Sequence, residues 1–314
     1  MNSSLAFGSF PHQFLLVGLS WVEDKKLPVS LLFLFMYLVV ILSNCTIIVL
    51  IKMDQKLQEP MHIFIALLSL TDLSISSATI PKVLTIIWFS SNTISSAECL
   101  TQAYILYTMW GLQSSIFALM SFDRYVAICH PLRHSTLISR SFMTKSVALI
   151  VARSILTTFP LTFLIVRLSY SDLNTIYDIY CEFREVMKLS YGDLMPLSIY
   201  MVILICVYQG GDNSIIVFSY LQMLSIVYKL KSPQARWKSL STCSSQAILL
   251  SLFYISTSIP FYLIFYPDTP LYVKTIAEVL SFLLLPMLNP IIYGARSKDI
   301  QDGLRRLYQK LVRL

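Results

Sequence analysis

Seven long apolar runs, at about residues 27–51, 61–89, 100–122, 147–166, 194–228, 240–266 and 271–293, divide this 314-residue chain. A helix crossing the hydrocarbon core of a bilayer needs about 20 mainly apolar residues, so each run is long enough to cross. Composition agrees, because 56% of residues are hydrophobic and only 13% are charged, about half of the ~25% charge of soluble domains. The expectation is an all-α membrane protein, a seven-transmembrane helix bundle in a single domain, with a tail over 1–26, the bundle over 27–293 and a tail over 294–314. Pro81, Pro160, Pro196, Pro260 and Pro286 interrupt the runs and predict tilted, kinked helices. The first 26 residues carry Glu23 and Asp24 and show no basic start followed by a short apolar core and a cleavage site. The first helix is therefore expected to serve as its own insertion signal.

Orientation follows from lysine and arginine, which accumulate on the cytoplasmic side of membrane proteins. Most of the 24 fall on one side, among them Lys52, Arg124, Arg133, Lys229, Arg236 and Arg296. This places the amino terminus outside and the carboxyl terminus inside. The same basic face accounts for the net charge of +7; it meets anionic lipid and needs no nucleic acid. Of the six cysteines, Cys99 and Cys181 fall on the outer, oxidising side. Cys45 and Cys206 are intramembrane, and Cys129 and Cys243 are at the inner face. The pattern supports at most one disulfide, pinning the loop over 167–193 to the top of the third helix. Asn2-Ser3-Ser4 is a glycosylation sequon on the exported tail, whereas Asn44-Cys45-Thr46 lies inside a helix.

Several chemistries are absent. His12, His62, His130 and His134 make no metal-ligand spacing, and no phosphate loop occurs, so neither an enzyme nor a cofactor is expected. A retinal Schiff base needs a lysine deep in the seventh helix, and Lys274 sits only at its mouth. No internal hydropathy repeat marks a transporter. The ionisable residues in or bordering the membrane are Asp72, Asp123, Arg124, Arg153 and Asp212, each a functional candidate because such groups are costly there.

The third run ends in Met120-Ser121-Phe122-Asp123-Arg124-Tyr125-Val126-Ala127-Ile128-Cys129-His130-Pro131. An ordinary basic helix end would read similarly. This stretch, however, resembles the third-helix end of odorant receptors, a branch of the rhodopsin-like G-protein-coupled receptors. Further landmarks follow in order: Asn44, Pro60-Met61-His62-Ile63-Phe64, Leu67-Leu68-Ser69-Leu70-Thr71-Asp72, Ser219-Tyr220, Lys238-Ser239-Leu240-Ser241-Thr242-Cys243 and Pro286-Met287-Leu288-Asn289-Pro290-Ile291-Ile292-Tyr293. Gly211-Asp212 and the long second outer loop are similar to the fish-like class I subgroup.

The resemblance implies an odorant receptor that acts through a stimulatory heterotrimeric G protein to raise cyclic AMP at the plasma membrane, in olfactory cilia. A short amphipathic cytoplasmic helix would follow the seventh segment. Asp123, Arg124 and Tyr125 would form the coupling motif, with neighbouring Asp123 the one obvious acidic partner for Arg124. Asn289-Pro290 would be a hinge that swings Tyr293 towards Arg124, since proline breaks the helical hydrogen-bond ladder. Asp72 would be a weak sodium site, because Gln113, standing where the family commonly has glutamate, lends only a neutral oxygen. Gln246 replaces the family's usual histidine, and Ser171 and Tyr191 replace two loop cysteines found in many class I members.

Helical spacing from Cys99 puts Ala103, Leu106, Tyr107, Trp110 and Ser114 on one stripe, which the resemblance assigns to the ligand pocket. Phe253, Tyr254, Thr257, Ser258 and Phe261 from the sixth helix, and Val279 and Phe282 from the seventh, would face it. With no Lys or Arg over 257–266, an acidic ligand is disfavoured. Asp172, Asp178, Glu182, Glu185 and Asp193 on the loop read as solvated charges with a mild bias towards cations. The expected ligand is a small neutral molecule with one polar group. A non-olfactory chemosensor is the alternative within this fold, and a channel or transporter the alternative outside it.

Overall fold

In the computed structural model the described residues are 10–170, 174–191, 193–229, 231–263, 266 and 269–312. Asn2, Ser171, Asp172 and the side chain of Phe261 lie outside them. The seven bundle helices are Lys26–Met53, Pro60–Phe89, Ser96–Cys129, Arg140–Val166, Met195–Lys229, Pro233–Leu263 and Leu271–Arg296. Six are long and apolar enough to cross a membrane over their own length, while the sixth carries a shorter apolar stretch, Gln246–Ile259. Its leading turns bear Arg236 and a serine- and threonine-rich segment that extends beyond the apolar layer.

The third helix runs through the middle, against the second, fourth, fifth and sixth. It starts on a reciprocal cap in which Ser95 accepts from the Glu98 amide and Glu98 accepts from the Ser95 amide. Gly111, Ser114, Ser115 and Ser121 are among its buried residues, small enough for neighbouring backbones to approach. Leu31, Phe35, Leu42, Leu149, Leu156 and Phe159 stay exposed on the rim, as an apolar solvent around the bundle requires.

Prolines account for several of the buried polar contacts between helices. Pro290 has no N–H for the Pro286 carbonyl, and Asn44 donates to that oxygen at 2.9 Å. Pro286 likewise leaves the Phe282 carbonyl without its donor, and the Ser76 hydroxyl donates to it at 2.9 Å. Near Pro81, Gln102 donates to the Ala78 carbonyl at 2.6 Å. Neighbouring helices thus satisfy backbone groups that lipid cannot. Pro196 departs from the expected kink: it occupies the first turn of the fifth helix, where a missing N–H costs nothing. That helix is distorted instead by a π-helical segment, Cys206–Asp212, containing the weak helix formers Gly210 and Gly211.

The amino-terminal segment is more ordered than a bare tail. Strand β1 (Gln13–Leu16) pairs antiparallel with β2 (Thr93–Ser95), and parallel with β4 (Thr175–Ile176) of the second long loop. Strand β3 (Ser169–Tyr170) pairs antiparallel with β5 (Ser190–Tyr191). Phe14, Leu16 and Val22 are buried beneath this cover. Where it crosses the loop, a Cβ at Gly18 would stand 2.6 Å from the Asp178 carbonyl carbon and 2.7 Å from the Ile179 nitrogen, so only glycine fits. Thr275 of the seventh helix donates to the Gly18 carbonyl and fastens the cover to the bundle.

The expected amphipathic helix is Lys298–Val312, which buries Ile300 and packs Leu304 and Leu307 against the core. Arg306 grips Asp54 at 2.6 Å, and that guanidinium holds the Asp54 carboxyl below the usual carboxylate range.

Candidate ligand and switch sites

Cys99 and Cys181 form a disulfide, with Cα atoms 5.2 Å apart. The remaining four cysteines are free, and the Cys181 amide also donates to Gln102 Oε1 at 2.7 Å. The loop is thereby laid over the third helix, with its flanking rings pointed at the expected stripe. Tyr107 meets Phe183 at 4.9 Å between ring centroids and Trp110 at 5.7 Å. Trp110 stacks on Phe282 at 5.9 Å, and Tyr180 closes on Phe282 edge-to-face at 4.6 Å. Ala103, Leu106 and Val279 are buried in the same cluster. The third and seventh helices therefore bring their expected members together.

The sixth helix places its members differently. Phe253 packs on Phe117 in the lower cluster, and the Tyr254 hydroxyl donates to Asn213 of the fifth helix. The Thr257 hydroxyl is turned to its own helix, donating to the Phe253 carbonyl at 2.8 Å. Ser258 is half-buried, and Ser114 is buried near Tyr254. Sequence reasoning missed Tyr180 and Phe183, although both flank a cysteine held to the third helix.

The loop acids are not all solvated, as their sequence suggests. Asp178 is 7% exposed, and it faces Glu278 of the seventh helix, itself 8% exposed. Burial pushes the Asp178 carboxyl up to about 7 and raises that of Glu182. Glu182 accepts from Tyr107 at 3.3 Å and pairs with Arg184 at 2.8 Å; Lys188 pairs with Glu185 at 2.6 Å.

Deeper in the bundle lie two polar centres. Asp72 is fully buried, accepting from Gln113 at 2.7 Å and from Asn289 at 2.8 Å. Gln113 thus offers its amide N–H rather than its oxygen, because a carboxylate is the stronger acceptor facing it. Arg153 and Asp212, expected as separate candidates, pair at 2.6 Å across the fourth and fifth helices. Ser115 donates to the same carboxylate, and the guanidinium lies 4.7 Å from the Tyr208 ring centroid.

At the opposite end from the disulfide, Asp123 bonds to His134 at 3.0 Å, although its neighbour Arg124 is the partner expected from sequence. Imidazole reaches this carboxylate from the short helix His134–Leu137, while Arg124 lines a cavity of about 290 Å³ with His62, Gln246, Tyr293 and Arg296. Tyr125 lies beside His130, and Tyr293 is buried with its hydroxyl towards Met120 Sδ. Gln246 donates to Ser121 at 3.1 Å, a bond across the sixth and third helices.

Seven helices, a disulfide-held loop over an aromatic stripe and a cavity around Arg124 at the other end together describe a multi-pass helical membrane protein. The family model described as "Olfactory receptor" matches residues 33–310. The chain is 35% identical to human "Olfactory receptor 52D1" over 308 residues, covering 98% of this chain and 97% of that one. It is 36% identical to human "Olfactory receptor 51G2" over 292 residues, 92% of each chain. Against mouse "Olfactory receptor 51E2" it is 33% identical over 303 residues, 96% of this chain and 95% of that one. The chain belongs to the olfactory receptor family.

Proposed function

We propose that this receptor binds a small neutral odorant among Tyr107, Trp110 and Phe282, beneath the disulfide-held loop, and activates a stimulatory G protein to raise cyclic AMP. The observation that carries this reading is the position of Phe282. Its ring stacks on Trp110 while its carbonyl is the one that Ser76 satisfies above Pro286. The same helix carries Asn289, Pro290 and Tyr293 down to the Arg124 cavity. A ligand that displaces Phe282 therefore pushes on a helix whose hydrogen-bond ladder lacks two donors, at Pro286 and Pro290. It shifts the equilibrium by its differential affinity for the two arrangements.

The rings offer apolar area, and residues 257–266 hold no Lys or Arg to meet a carboxylate. We place the disulfide end outside the cell and the Arg124 end in the cytoplasm, in the plasma membrane of olfactory cilia, with the chain acting as a single receptor domain. Asn2 is then available for glycosylation. Both oxygens of Asp72 are already engaged by amide donors, which supports a weak sodium site. The loop length and Gly211-Asp212 support the fish-like class I assignment.

The test is cyclic AMP in a heterologous cell against an odorant panel that contains alcohols, ketones and matched carboxylic acids. Neutral members should be the more potent, and Trp110→Ala should change their ranking. Acids more potent than matched alcohols, or an unchanged ranking in the variant, would overturn the ligand class. A ligand-gated current without a G protein would overturn the coupling.

A further inference from the structure

Asp123 is the acid of the expected coupling motif, and its side chain is only 4% exposed. A carboxylate taken that far out of water needs a partner that is positive or donates a hydrogen bond. Among the described residues its side chain has a single one, His134 Nε2 at 3.0 Å. Arg124, next along the chain, forms no ion pair among the described residues and lines the cavity of about 290 Å³ instead. Two cations therefore stand within reach of one buried carboxylate, and the one that holds it is an imidazole. Imidazole is the side chain that ordinarily changes charge between about pH 5 and 8. Other charged groups surround His134: Arg133 in the turn Pro131–Arg133, and Lys52, Glu59 and Arg140 along the cavity of about 720 Å³ that His134 also lines. His130 bonds to the Tyr125 hydroxyl at 3.3 Å, and His62 of the second helix is 5% exposed near Asp123. Among all of these, only His134 touches the carboxylate.

We propose that His134 is a proton switch on coupling: protonated, it holds Asp123 and leaves Arg124 on the cavity; neutral, it yields Asp123 to Arg124. A charged imidazole gives the carboxylate a charge-assisted bond, roughly twice as strong as the neutral one. Arg124 keeps its charge at every such pH and becomes the stronger donor once the imidazole is neutral. Turning to Asp123 takes its guanidinium away from the cavity. The short helix His134–Leu137 buries none of its residues, so this bond is its main tie to the third helix, and the loop is released together with the carboxylate. The sign follows: acid on the cytoplasmic face favours the arrangement with Arg124 in the cavity and raises coupling, and alkali lowers it. The inference rests on the proposed reading that this cavity receives the G protein.

The experiment has two arms, both on the full-length receptor in nanodiscs. The first uses neither odorant nor G protein and follows the ring signals of the four histidines by NMR from about pH 6 to about pH 8. The signal assigned to His134 by its loss in His134→Gln should move over this range, and the movement should change in Asp123→Asn. The second arm measures odorant-stimulated nucleotide exchange on the stimulatory G protein at both ends of the range. Exchange relative to His134→Gln should be about fivefold greater at the acid end, the difference between a charge-assisted and a neutral hydrogen bond. His134→Arg, permanently charged, should give the higher rate at both ends. Taking the ratio to His134→Gln removes the titration of the G protein and of Asp178, whose carboxyl also responds in this range. If one variant fails to fold, the other supplies the comparison. A His134 signal that moves identically in Asp123→Asn, or the same pH profile in the receptor and in His134→Gln, would overturn the switch. No exchange from any form at either pH would overturn the coupling reading and the switch with it, and the first arm separates that failure from failure of the bond.

Discussion

Removing the Ser76 hydroxyl should cost stability only while Pro286 is present. The hydroxyl donates at 2.9 Å to the Phe282 carbonyl, whose helical donor Pro286 cannot supply. Ser76 is fully buried and Phe282 is 1% exposed, so no water replaces the lost donor. A buried carbonyl left unsatisfied costs about 1–3 kcal/mol, and hydrogen bonds between membrane helices average about 0.6 and reach about 1.7 kcal/mol. Ser76→Ala should therefore cost about 1–2 kcal/mol. For a chain of this size that corresponds to an apparent melting temperature lower by about 2–6 °C. In a Pro286→Ala background the restored N–H serves the same carbonyl, and the cost of Ser76→Ala should fall below about 0.5 kcal/mol. The assay is a double-mutant cycle on purified receptor, melted at one scan rate in one detergent. An equal cost of Ser76→Ala in both backgrounds would refute the argument that the hydroxyl substitutes for the backbone donor.

Three further outcomes follow from the geometry. Arg153→Met leaves the Asp212 carboxylate buried without its partner and should cost about 3–5 kcal/mol, while adding Asp212→Asn should recover most of it in the same melting assay; additive losses would show that the pair is not coupled. Cys99→Ser should cost about 2–4 kcal/mol and lower the surface fraction measured by antibody labelling, and normal surface levels would contradict the anchoring role. Gln113→Glu should strengthen the weak sodium dependence of agonist potency by adding a second carboxylate beside Asp72, a prediction that fails if the unaltered receptor already depends strongly on sodium.

The bundle was legible because a bilayer demands a long apolar run for every crossing, whatever the neighbouring helices are. The stripe was legible on the third helix because Cys99, Ala103, Leu106 and Trp110 follow helical spacing, whereas Val279 and Phe282 of the seventh helix came from the family resemblance. Pro196 was read as a kink because sequence alone does not say which turn a proline occupies, and Gly210-Gly211 gave no sign of a π-helical segment. The amino-terminal cover escaped because β1 and β4 are short and lie far apart in the chain, where periodicity says nothing about pairing. Glu278 had a signal that went unused: it precedes Phe282 by one helical turn and therefore shares its face. Asp123 turned to His134 rather than Arg124 because chain proximity does not fix which donor reaches a carboxylate.

On the proposed reading, occupancy of the stripe reaches a G protein through Arg124. The most direct measurement is odorant-evoked cyclic AMP in cells lacking the stimulatory Gα subunit, with and without its re-expression, for the unaltered receptor and for Arg124→Ala at matched surface levels. The response should be absent without Gα, return on re-expression for the unaltered receptor, and stay absent for Arg124→Ala. A response or an odorant-gated current that persists without Gα, or a full response from Arg124→Ala, would contradict the account.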